Sequence, residues 1–457
     1  MHSISLPLTN TRLGFHYFPD TLHFREHDLK TWIPELHALG ASWLTLVAPI
    51  ERAIPEFFLR SLSGEGIEPV LHFHLPLGFP NRSNPLRLLF SNYARWGVRY
   101  VALYDRPNLR ASWSPTAWAQ ADLVERFLDL YLPLAESALE EGLIPVFPPL
   151  EPGGDYWDTA FLRAALHGMQ RRGRNRLLES MILGAYAWAG NRSLNWGAGG
   201  PERWPGARPY FTPPGVQDQR GFRIFDWYLT IAQAELGRPR PMLLLKAGSR
   251  IAGPSANGSQ ADPAHHAQRN LSLARLITAR EDSPAELPCE ESSETPDDPP
   301  THLEVVPPEV LACNFWLLAA SEDNPASCDA WFQPDGSKLP VVETLHQWMT
   351  SHQAADRPTA QKSFPPILAT HTAHAIAHYL LLPLYEWGVP DWYLDAVRPF
   401  IKTYHPTIGF SMSEAALAAR VTVVGGVQAF PEETLEKLRE AGCRVERIIG
   451  DGTVVAT

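Results

Sequence analysis

The feature that most constrains the fold is a repeated alternation of strand-like and helix-like segments along most of the chain. Short runs rich in Val, Leu, Ile and aromatic residues are each followed by a helix-like segment, and a glycine often closes that helix. Eight such units occupy about 340 residues. Strands that alternate with helices of this length predict a parallel sheet, and eight of them predict closure into a TIM (β/α)8 barrel.

The barrel strands are predicted at 12–18, 42–48, 68–74, 98–104, 144–147, 180–187, 241–246 and 310–318. The helices between them are predicted at 27–39, 56–62, 85–96, 119–141, 159–171, 222–236 and 265–279, with a closing helix at 341–349. The acidic, Pro- and Ser-rich stretch 281–300 predicts a disordered surface loop.

The remainder of the 457 residues predicts a second, smaller α/β domain. We expect the barrel to cover 1–350, a polar linker 351–363, and the small domain 364–457. Within the latter, 367–369 is predicted as a strand, and 371–387 and 392–402 as helices. A strand at 421–424, a Gly-Gly turn, a helix at 432–440 and a strand at 444–449 then predict a βαβ unit.

Composition excludes several classes of partner. The net charge of −11, with no basic patch, argues against a nucleic acid. No run of 18 apolar residues exists that would predict a membrane span. The start shows no signal peptide, which predicts a cytoplasmic protein, or an extracellular or cell-surface one if the start is incomplete. The four cysteines show no metal spacing; Cys313 and Cys328 could bridge, although independent thiols are favoured.

In a TIM barrel the functional residues lie at the carboxyl ends of the strands. Strand one ends in His16 and Tyr17, and strand three ends in His72 and His74. The i, i+2 spacing puts the latter two imidazoles on one face of the strand. Such a pair could bind a metal, but no third ligand is evident, so we expect substrate hydrogen bonds or core histidines, with no metal and no cofactor.

Two loops have the composition of sugar-binding segments. Strand five is followed by Glu151, Asp155, Tyr156 and Trp157, which suit a sugar site, or a rigid turn in which Asp155 caps the next helix. The strand-six end and the loop after it combine aromatic rings with amide and carboxylate groups, which suits pyranose rings. These residues are Tyr186, Trp188, Asn195, Trp196 and Glu202. The alternative is a loop that packs its own aromatic side chains.

The end of strand four carries the most specific motif, Tyr104-Asp105-Arg106-Pro107-Asn108. It resembles the large clan of (β/α)8-barrel glycoside hydrolases, in which an aromatic residue precedes Asn-Glu-Pro and the Glu is the general acid/base. Strand seven resembles the position of the clan's nucleophilic Glu, and Lys246 stands there. The end of strand eight resembles the strand that carries the clan's active-site Trp, here Trp316.

The resemblance implies a glycoside-hydrolase-like barrel in which both catalytic Glu positions are basic. One interpretation is a pseudoenzyme that binds a glycan, with Arg106 and Lys246 favouring an anionic sugar and Asn108 in the same site. A second is an active hydrolase with Asp105 and Glu151 as a relocated catalytic pair, and Asp155 or Glu202 in reserve. A third is a scaffold for protein contacts, which a mouth filled by side chains would favour.

The C-terminal βαβ unit has a resemblance of its own. The segments 421–430, 435–442 and 445–450, followed by Thr453, resemble one copy of a bacterial cell-wall-binding repeat. That resemblance implies a cell-wall polymer as partner of the small domain. The alternative is a generic βαβ unit in which Gly425 and Gly426 only turn the chain.

Overall fold

The computed structural model describes residues 6–7, 9–77, 83–251, 262–279, 289–290, 301–355, 376–383, 391–404, 406–427 and 429–448. The chain divides into two compact units. One comprises Met1–Ile50 and Phe58–Pro358, and the other comprises Glu51–Phe57 and Thr359–Thr457. The domain boundaries inferred from sequence, at 350 and 363, stay predictions.

Eight parallel strands close into a barrel in the first unit. They are β1 Leu13–His16, β2 Trp43–Val47, β3 Glu68–Phe73, β4 Tyr100–Leu103, β5 Ile144–Phe147, β6 Ile182–Trp188, β7 Met242–Gly248 and β8 Val310–Phe315. Each strand pairs with its neighbours in chain order, and β1 pairs with β8 to close the ring. The predicted TIM barrel is confirmed, as is a separate smaller parallel sheet.

The helices of the barrel lie close to their predicted positions. The longer ones are Glu26–Ala38, Glu56–Gly64, Ser83–Arg95, Leu123–Glu140, Asp158–Arg171, Ile224–Leu236, Pro263–Thr278 and Pro340–Ala355. Shorter ones are Pro115–Trp118, Asn175–Ser180 and Gly200–Arg203, with 3-10 turns at Arg110–Ser112 and Ser327–Asp329. Because the closing helix continues to Ala355, residues 351–355 of the predicted linker are helical.

The interior of the barrel is filled by side chains rather than hollow. Trp43, Tyr100, Val146 and Leu243 are fully buried in one cluster below the mouth, and each contributes about 1.5–3 kcal/mol to stability through burial. Gly14 keeps this layer compact, because a Cβ there would lie 2.7 Å from the Cβ of Trp43. The packed layer leaves the strand ends above it as the floor of the candidate site.

The second unit contains a four-stranded parallel sheet, with strand order Thr407–Gly409, Ile376–Leu381, Ala418–Val424, Arg444–Ile448. Its helices are Asp391–Tyr404, Met412–Ala415 and Glu432–Glu440. The predicted helix over 371–387 is wrong, because 376–381 forms a strand in the middle of this sheet. Tyr379, Leu380 and Leu381 are buried in succession, and a short run without strict alternation cannot be told from a buried helix by periodicity.

Some sequence predictions concern residues outside the described part of the chain. The strand predicted at 367–369 lies outside the described residues, and so does the acidic loop 281–300 except for Cys289–Glu290, which pairs with Thr301–His302. Cys313, Cys328 and Cys443 are free thiols. Among the helices described, none has the length and apolar character needed to cross a membrane.

Candidate functional site

The backbone is strained at the tip of β4. Tyr104 has a φ of 70° and Arg106 a φ of 44°, on either side of Asp105. Such left-handed conformations cost about 1–2 kcal/mol each for residues other than glycine. Hydrogen bonds from Tyr104 N to Phe73 O (2.9 Å) and from Arg106 N to Pro149 O (3.0 Å) hold the turn. Strain of this kind, maintained by its surroundings, is typical of functional positions.

Asp105 is the anion at the centre of the site. Its carboxylate accepts hydrogen bonds from the Tyr186 hydroxyl (2.5 Å) and from Arg106 Nε (3.1 Å). Burial acts to raise the pKa of Asp105, but Lys246, two neighbouring imidazoles and Arg106 together hold it below its usual range. Asp105 is therefore an ionised acceptor at neutral pH.

Arg106 joins the two acids that sequence analysis proposed as a relocated pair. Its Nη1 donates to Glu151 Oε2 at 3.3 Å, while its Nε contacts Asp105. Burial acts to lower the pKa of Arg106, but Asp105, Tyr186 and Glu151 raise it above its usual value. The guanidinium is a permanent cation that brings the ends of β4 and β5 together.

Lys246 is a buried ammonium group between aromatic rings. Its side chain is 8% exposed, and Nζ lies 4.5 Å from the ring centroid of Trp316 and 4.8 Å from that of Tyr186. A register shift between Ala185 and Tyr186 pairs Tyr186 with Lys246 across β6 and β7. Within the described residues Nζ makes no hydrogen bond or ion pair. Burial lowers the pKa of Lys246 to about 8, with Asp105 opposing the shift.

Three histidines lie at the ends of β1 and β3. His72 Nε2 is 2.9 Å from Tyr104 O, which can only accept, so this nitrogen carries the proton. His72 Nδ1 therefore presents a lone pair, 3.3 Å from His74 Nε2. Burial lowers the pKa of His72 to about 4, so it is neutral. His16 is fully buried, and neither ring nitrogen has a hydrogen-bond partner among the residues described.

The fold supplies a third group to the histidine pair. His72, His74 and Asp105 each offer one ligand atom, and these atoms lie within 4.8 Å of one another. The sequence showed no third ligand, because Asp105 is on the next strand and reaches the pair only through the pairing of β3 with β4. These are the residues that could hold a cation.

A second buried acid fixes the aromatic side of the site. Asp329 accepts from Trp316 Nε1 (3.3 Å) and from Arg250 Nε (2.8 Å). The Arg250 guanidinium lies 5.2 Å from the ring centroid of Trp188, which is half-buried. Neither residue was predicted from the sequence. Arg250 follows β7 by two positions, so the strand-end rule could have found it, whereas Asp329 lies in a turn well beyond β8.

Asn108 links the loops after β4 and β5. It is fully buried, and its Nδ2 donates to the carbonyls of Glu151 (2.9 Å) and Tyr156 (3.0 Å). Its Oδ1 accepts from Glu151 N at 2.8 Å. The amide is thus committed to the backbone, which makes Asn108 a residue that positions Glu151.

The loop after β5 is hydrogen-bonded to neighbouring segments. The Asp155 carboxylate accepts from Arg110 N at 2.8 Å, and the N-cap of the helix Asp158–Arg171 is Trp157. The expectation that Asp155 caps this helix is therefore wrong. Trp157 is 6% exposed and packs against Tyr210, at 5.3 Å between ring centroids. Tyr156 is partly buried beside it.

Asp158, which was not predicted from the sequence, anchors the same turn. It is fully buried and accepts hydrogen bonds from Gly153 N (2.9 Å), Gln219 Nε2 (2.6 Å) and the Tyr228 hydroxyl (3.0 Å). Burial raises the pKa of Asp158 to about 6. Its partners are groups of the scaffold, so its role is to hold the loop.

The loop after β6 packs much of its aromatic surface against itself. The buried Asp218 accepts from Trp196 Nε1 (3.1 Å) and Arg192 Nη1 (2.8 Å), and the Arg192 guanidinium lies 4.6 Å from the Trp196 ring centroid. Trp204 Nε1 donates to Ala198 O at 3.0 Å. Trp196 therefore packs within its own loop, as the alternative interpretation expected.

Three other residues predicted for the site, Asn195, Glu202 and Tyr17, have surroundings different from those of the Asp105 cluster. Asn195 Oδ1 accepts from Glu304 N at 3.1 Å, and Glu202 is exposed in the short helix Gly200–Arg203. Tyr17 is 1% exposed and packs against Phe18, at 4.8 Å between ring centroids. The structure therefore gathers His16, His72, His74, Asp105, Arg106, Glu151, Tyr186, Trp188, Lys246 and Trp316 at the strand ends.

Comparisons with known proteins add little beyond the fold. No protein-family model and no curated protein matches the chain. Similar solved structures include xylanase 10B from Thermotoga maritima, with a TM-score of 0.42 and 10% identity over 78% of this chain and 100% of that chain. Another is a GH128 endo-beta-1,3-glucanase from Sorangium cellulosum, with a TM-score of 0.39 and 13% identity over 73% and 97%. At this level the likeness carries no argument about function.

Proposed function

We propose that the mouth of the barrel binds a carbohydrate with an anionic group and does not carry out standard retaining hydrolysis. The observation that carries this proposal is the buried Lys246 ammonium, which has no hydrogen bond or ion pair within the described part of the chain. A buried ammonium group that no acceptor contacts directly is costly, and the attraction of Asp105 offsets this only in part, so a ligand carboxylate would stabilise it. Unpartnered groups at Lys246 and His16 also argue against a mouth that serves only as scaffold.

Aromatic rings beside this cation supply the sugar-binding surface. Trp188 and Trp316 lie edge to face with ring centroids 6.4 Å apart, and Trp188 is half-buried. Indole faces pack against the C–H faces of pyranose rings. Arg106, whose side chain is 38% exposed, adds a second cation on the solvent side. The combination favours a sugar acid over a neutral sugar.

Retaining hydrolysis requires two carboxylates about 5 Å apart, one of them protonated before the reaction. Arg106 and Lys246 stand at the two positions where the resemblance places carboxylates, and neither can take those roles. Asp105 is ionised, and it already accepts hydrogen bonds from Tyr186 and Arg106. It therefore lacks the proton that a general acid has to donate.

A binding experiment tests the proposal directly. Calorimetry with uronic-acid oligosaccharides and with neutral oligosaccharides of equal length should show a preference for the acidic series. Lys246→Met should remove that preference with at least tenfold weaker binding, because the ligand carboxylate loses its cation. Lys30→Met, at an exposed residue paired with Glu26, is the matched control. Equal binding of both series by the wild-type protein, or turnover of the bound glycan, would contradict the proposal.

A second candidate function is hydrolysis by relocated carboxylates. It is favoured by one observation, namely that Arg106 contacts both Asp105 and Glu151 at the strand tips. A hydrolysis assay on acidic and neutral glycans would show turnover by the wild-type protein that is lost in Asp105→Asn and Glu151→Gln. Turnover that both variants retain would exclude this pair.

The small domain is a separate case. Binding of a cell-wall polymer is proposed from its sequence motif alone, and the helix Glu432–Glu440 with its flanking strands is the segment involved. Co-sedimentation of the full chain with purified peptidoglycan would test it. A chain that stays in the supernatant would exclude this role.

A further inference from the structure

We propose that His72, His74 and Asp105 form a binding site for a divalent transition-metal cation. Two imidazoles and one carboxylate are a donor set that suits zinc and related first-row ions. The inference goes beyond carbohydrate binding and does not depend on it, since the cation would bind with no glycan present. All three residues lie at the ends of the paired strands β3 and β4.

The separation of the two imidazoles matches the requirement of a metal. His72 Nδ1 and His74 Nε2 lie 3.3 Å apart. Two nitrogen ligands of a tetrahedral zinc, each about 2.0–2.1 Å from the ion, are themselves about 3.3–3.4 Å apart. The cation would take the place of the proton between the two rings. His74 would stay neutral, with its proton moved from Nε2 to Nδ1.

The groups around His72 prepare it as a ligand. Its Nε2 donates to the carbonyl of Tyr104 at 2.9 Å, which fixes the tautomer and turns the Nδ1 lone pair toward His74. Metal-binding histidines ordinarily donate their second N–H to a carbonyl or carboxylate in this way. The carbonyl belongs to the strained residue Tyr104, with a φ of 70°. The left-handed conformation of Tyr104 thus directs the carbonyl that orients the His72 ring.

Asp105 supplies the anionic ligand. Its ionised oxygen lies within 4.8 Å of both imidazole nitrogens, which is wider than in a bound site. The carboxylate therefore has to turn toward the pair and yield part of its contact with Tyr186 or Arg106. Asp105 is 14% exposed, which leaves water access for the remaining coordination position.

A buried, unpartnered histidine beside this cluster is an independent indication of a ligand. His16 is fully buried, and neither ring nitrogen has a hydrogen-bond partner among the described residues. Buried polar groups in proteins are nearly always satisfied, by protein, water or a ligand. His16 ends β1, so it lies at the same carboxyl-terminal face of the barrel as the proposed site, with its ring centroid 4.7 Å from that of Trp316. A metal-bound water would give it the missing partner.

Two neighbouring positive charges should weaken the binding of a metal cation. Lys246 and Arg106 repel a divalent ion, and the carboxylates of Asp105 and Glu151 offset them. Removing Lys246 should therefore strengthen metal binding. A purely structural role of the histidine pair would not produce that effect.

Zinc titration of the full-length, chelator-treated protein, in competition with a chromophoric chelator, tests the site. We expect one zinc equivalent to bind the wild-type chain, and His74→Gln and Asp105→Asn each to weaken it at least tenfold. Lys246→Met should strengthen it several-fold. His23→Gln is the matched control, since His23 lies 3.4 Å from the carboxylate of Asp20 and forms the obvious alternative site. That variant should bind zinc as the wild type does.

Two further measurements separate binding from folding. Circular dichroism and thermal unfolding of the metal-free variants identify those that fold, and zinc should raise the melting temperature of the wild type but not of His74→Gln. Cobalt(II) should give d–d absorption typical of nitrogen ligands in the wild type, lost in His74→Gln. Zinc affinity and cobalt spectra that are the same in folded His74→Gln and in the wild type would overturn the proposal.

Discussion

The hydroxyl of Tyr186 donates a 2.5 Å hydrogen bond to the carboxylate of Asp105, and so joins the end of β6 to the end of β4 across β5. Asp105 raises the pKa of Tyr186 further above its usual value, in addition to the larger effect of burial. The phenol therefore stays protonated and remains a donor. This bond helps to hold Asp105 beside the histidine pair.

Loss of this bond should reduce stability. Tyr186→Phe leaves a buried carboxylate oxygen with one donor fewer, so the free energy of unfolding should fall by about 1–3 kcal/mol. Tyr131→Phe is the matched control, because the buried Tyr131 hydroxyl has no partner among the described residues. Chemical denaturation should show no loss in the control. Equal losses in the two variants would show that the Asp105 bond contributes nothing specific.

The buried Lys246 predicts a pH-dependent stability difference. Its pKa is about 8 in the folded protein, against an ordinary value of 10.5. Below pH 8 the lysine is charged in both states, and its burial costs about 3 kcal/mol. Between pH 8 and 10.5 the folded state has lost this proton while the unfolded state keeps it, so stability rises with pH. Lys246→Met should therefore be about 3 kcal/mol more stable than the wild type at pH 7.

That difference should shrink toward zero as the pH approaches 10.5. Chemical denaturation of both proteins in the presence of a chelator measures it across the range. Groups that Lys246 does not influence titrate equally in the two proteins and cancel, and Asp105, whose pKa Lys246 lowers, should stay ionised in both above pH 7. A difference that does not change between pH 7 and 10.5 would mean that Lys246 keeps its ordinary pKa.

Ligand binding should respond to pH in the opposite sense. An anionic ligand needs the protonated amine, so its affinity should fall by about tenfold per pH unit above pH 8. Lys246→Met should bind weakly with no such decline. Calorimetry in chelator-containing buffers at several pH values measures both profiles. A wild-type affinity that stays level up to pH 10 would rule out the ammonium as the receptor.

The hydrogen bonds of Asn108 should stabilise the loop that carries Glu151. Asn108→Ala removes three hydrogen bonds to buried backbone and should cost about 2–4 kcal/mol. It should also expose the segment after β5 to proteolysis. Asn191→Ala, at an exposed position in the loop after β6, is the control and should leave both properties unchanged. Identical protease sensitivity in the two variants would contradict the positioning role.

The contribution of the aromatic surface to glycan affinity can be measured at Trp188. Its ring is half-buried, and we propose that its exposed part contacts the sugar, so Trp188→Ala should weaken glycan binding by about 1–2 kcal/mol. Phe211→Ala is the control, since Phe211 is 61% exposed in the loop after β6. Affinities measured by calorimetry should be unchanged in that variant. A larger loss at Phe211 would relocate the sugar surface to the loop.

The sequence predicted the barrel because the signals for it are local. Hydrophobic runs, helical periodicity and a closing glycine such as Gly40 or Gly97 each act within a few residues, and eight repetitions leave few alternatives. The same locality explains the error at 376–381, where apolar residues follow one another without the alternation that would identify a strand. The strand-end rule also placed Asp105, Lys246 and His72 at one face of the barrel.

The sequence by itself thus determined the architecture and the set of side chains at the barrel mouth. Only the tertiary structure decided which of them have partners. Asn108 and Trp196 are committed to their own loops, while His16 is fully buried and Lys246 is 8% exposed, each without a hydrogen bond to any residue described. Asp105 reaches the histidine pair because β3 and β4 are adjacent, and Tyr186 reaches Lys246 because of a register shift. Such contacts depend on strand closure and register, which no local pattern encodes.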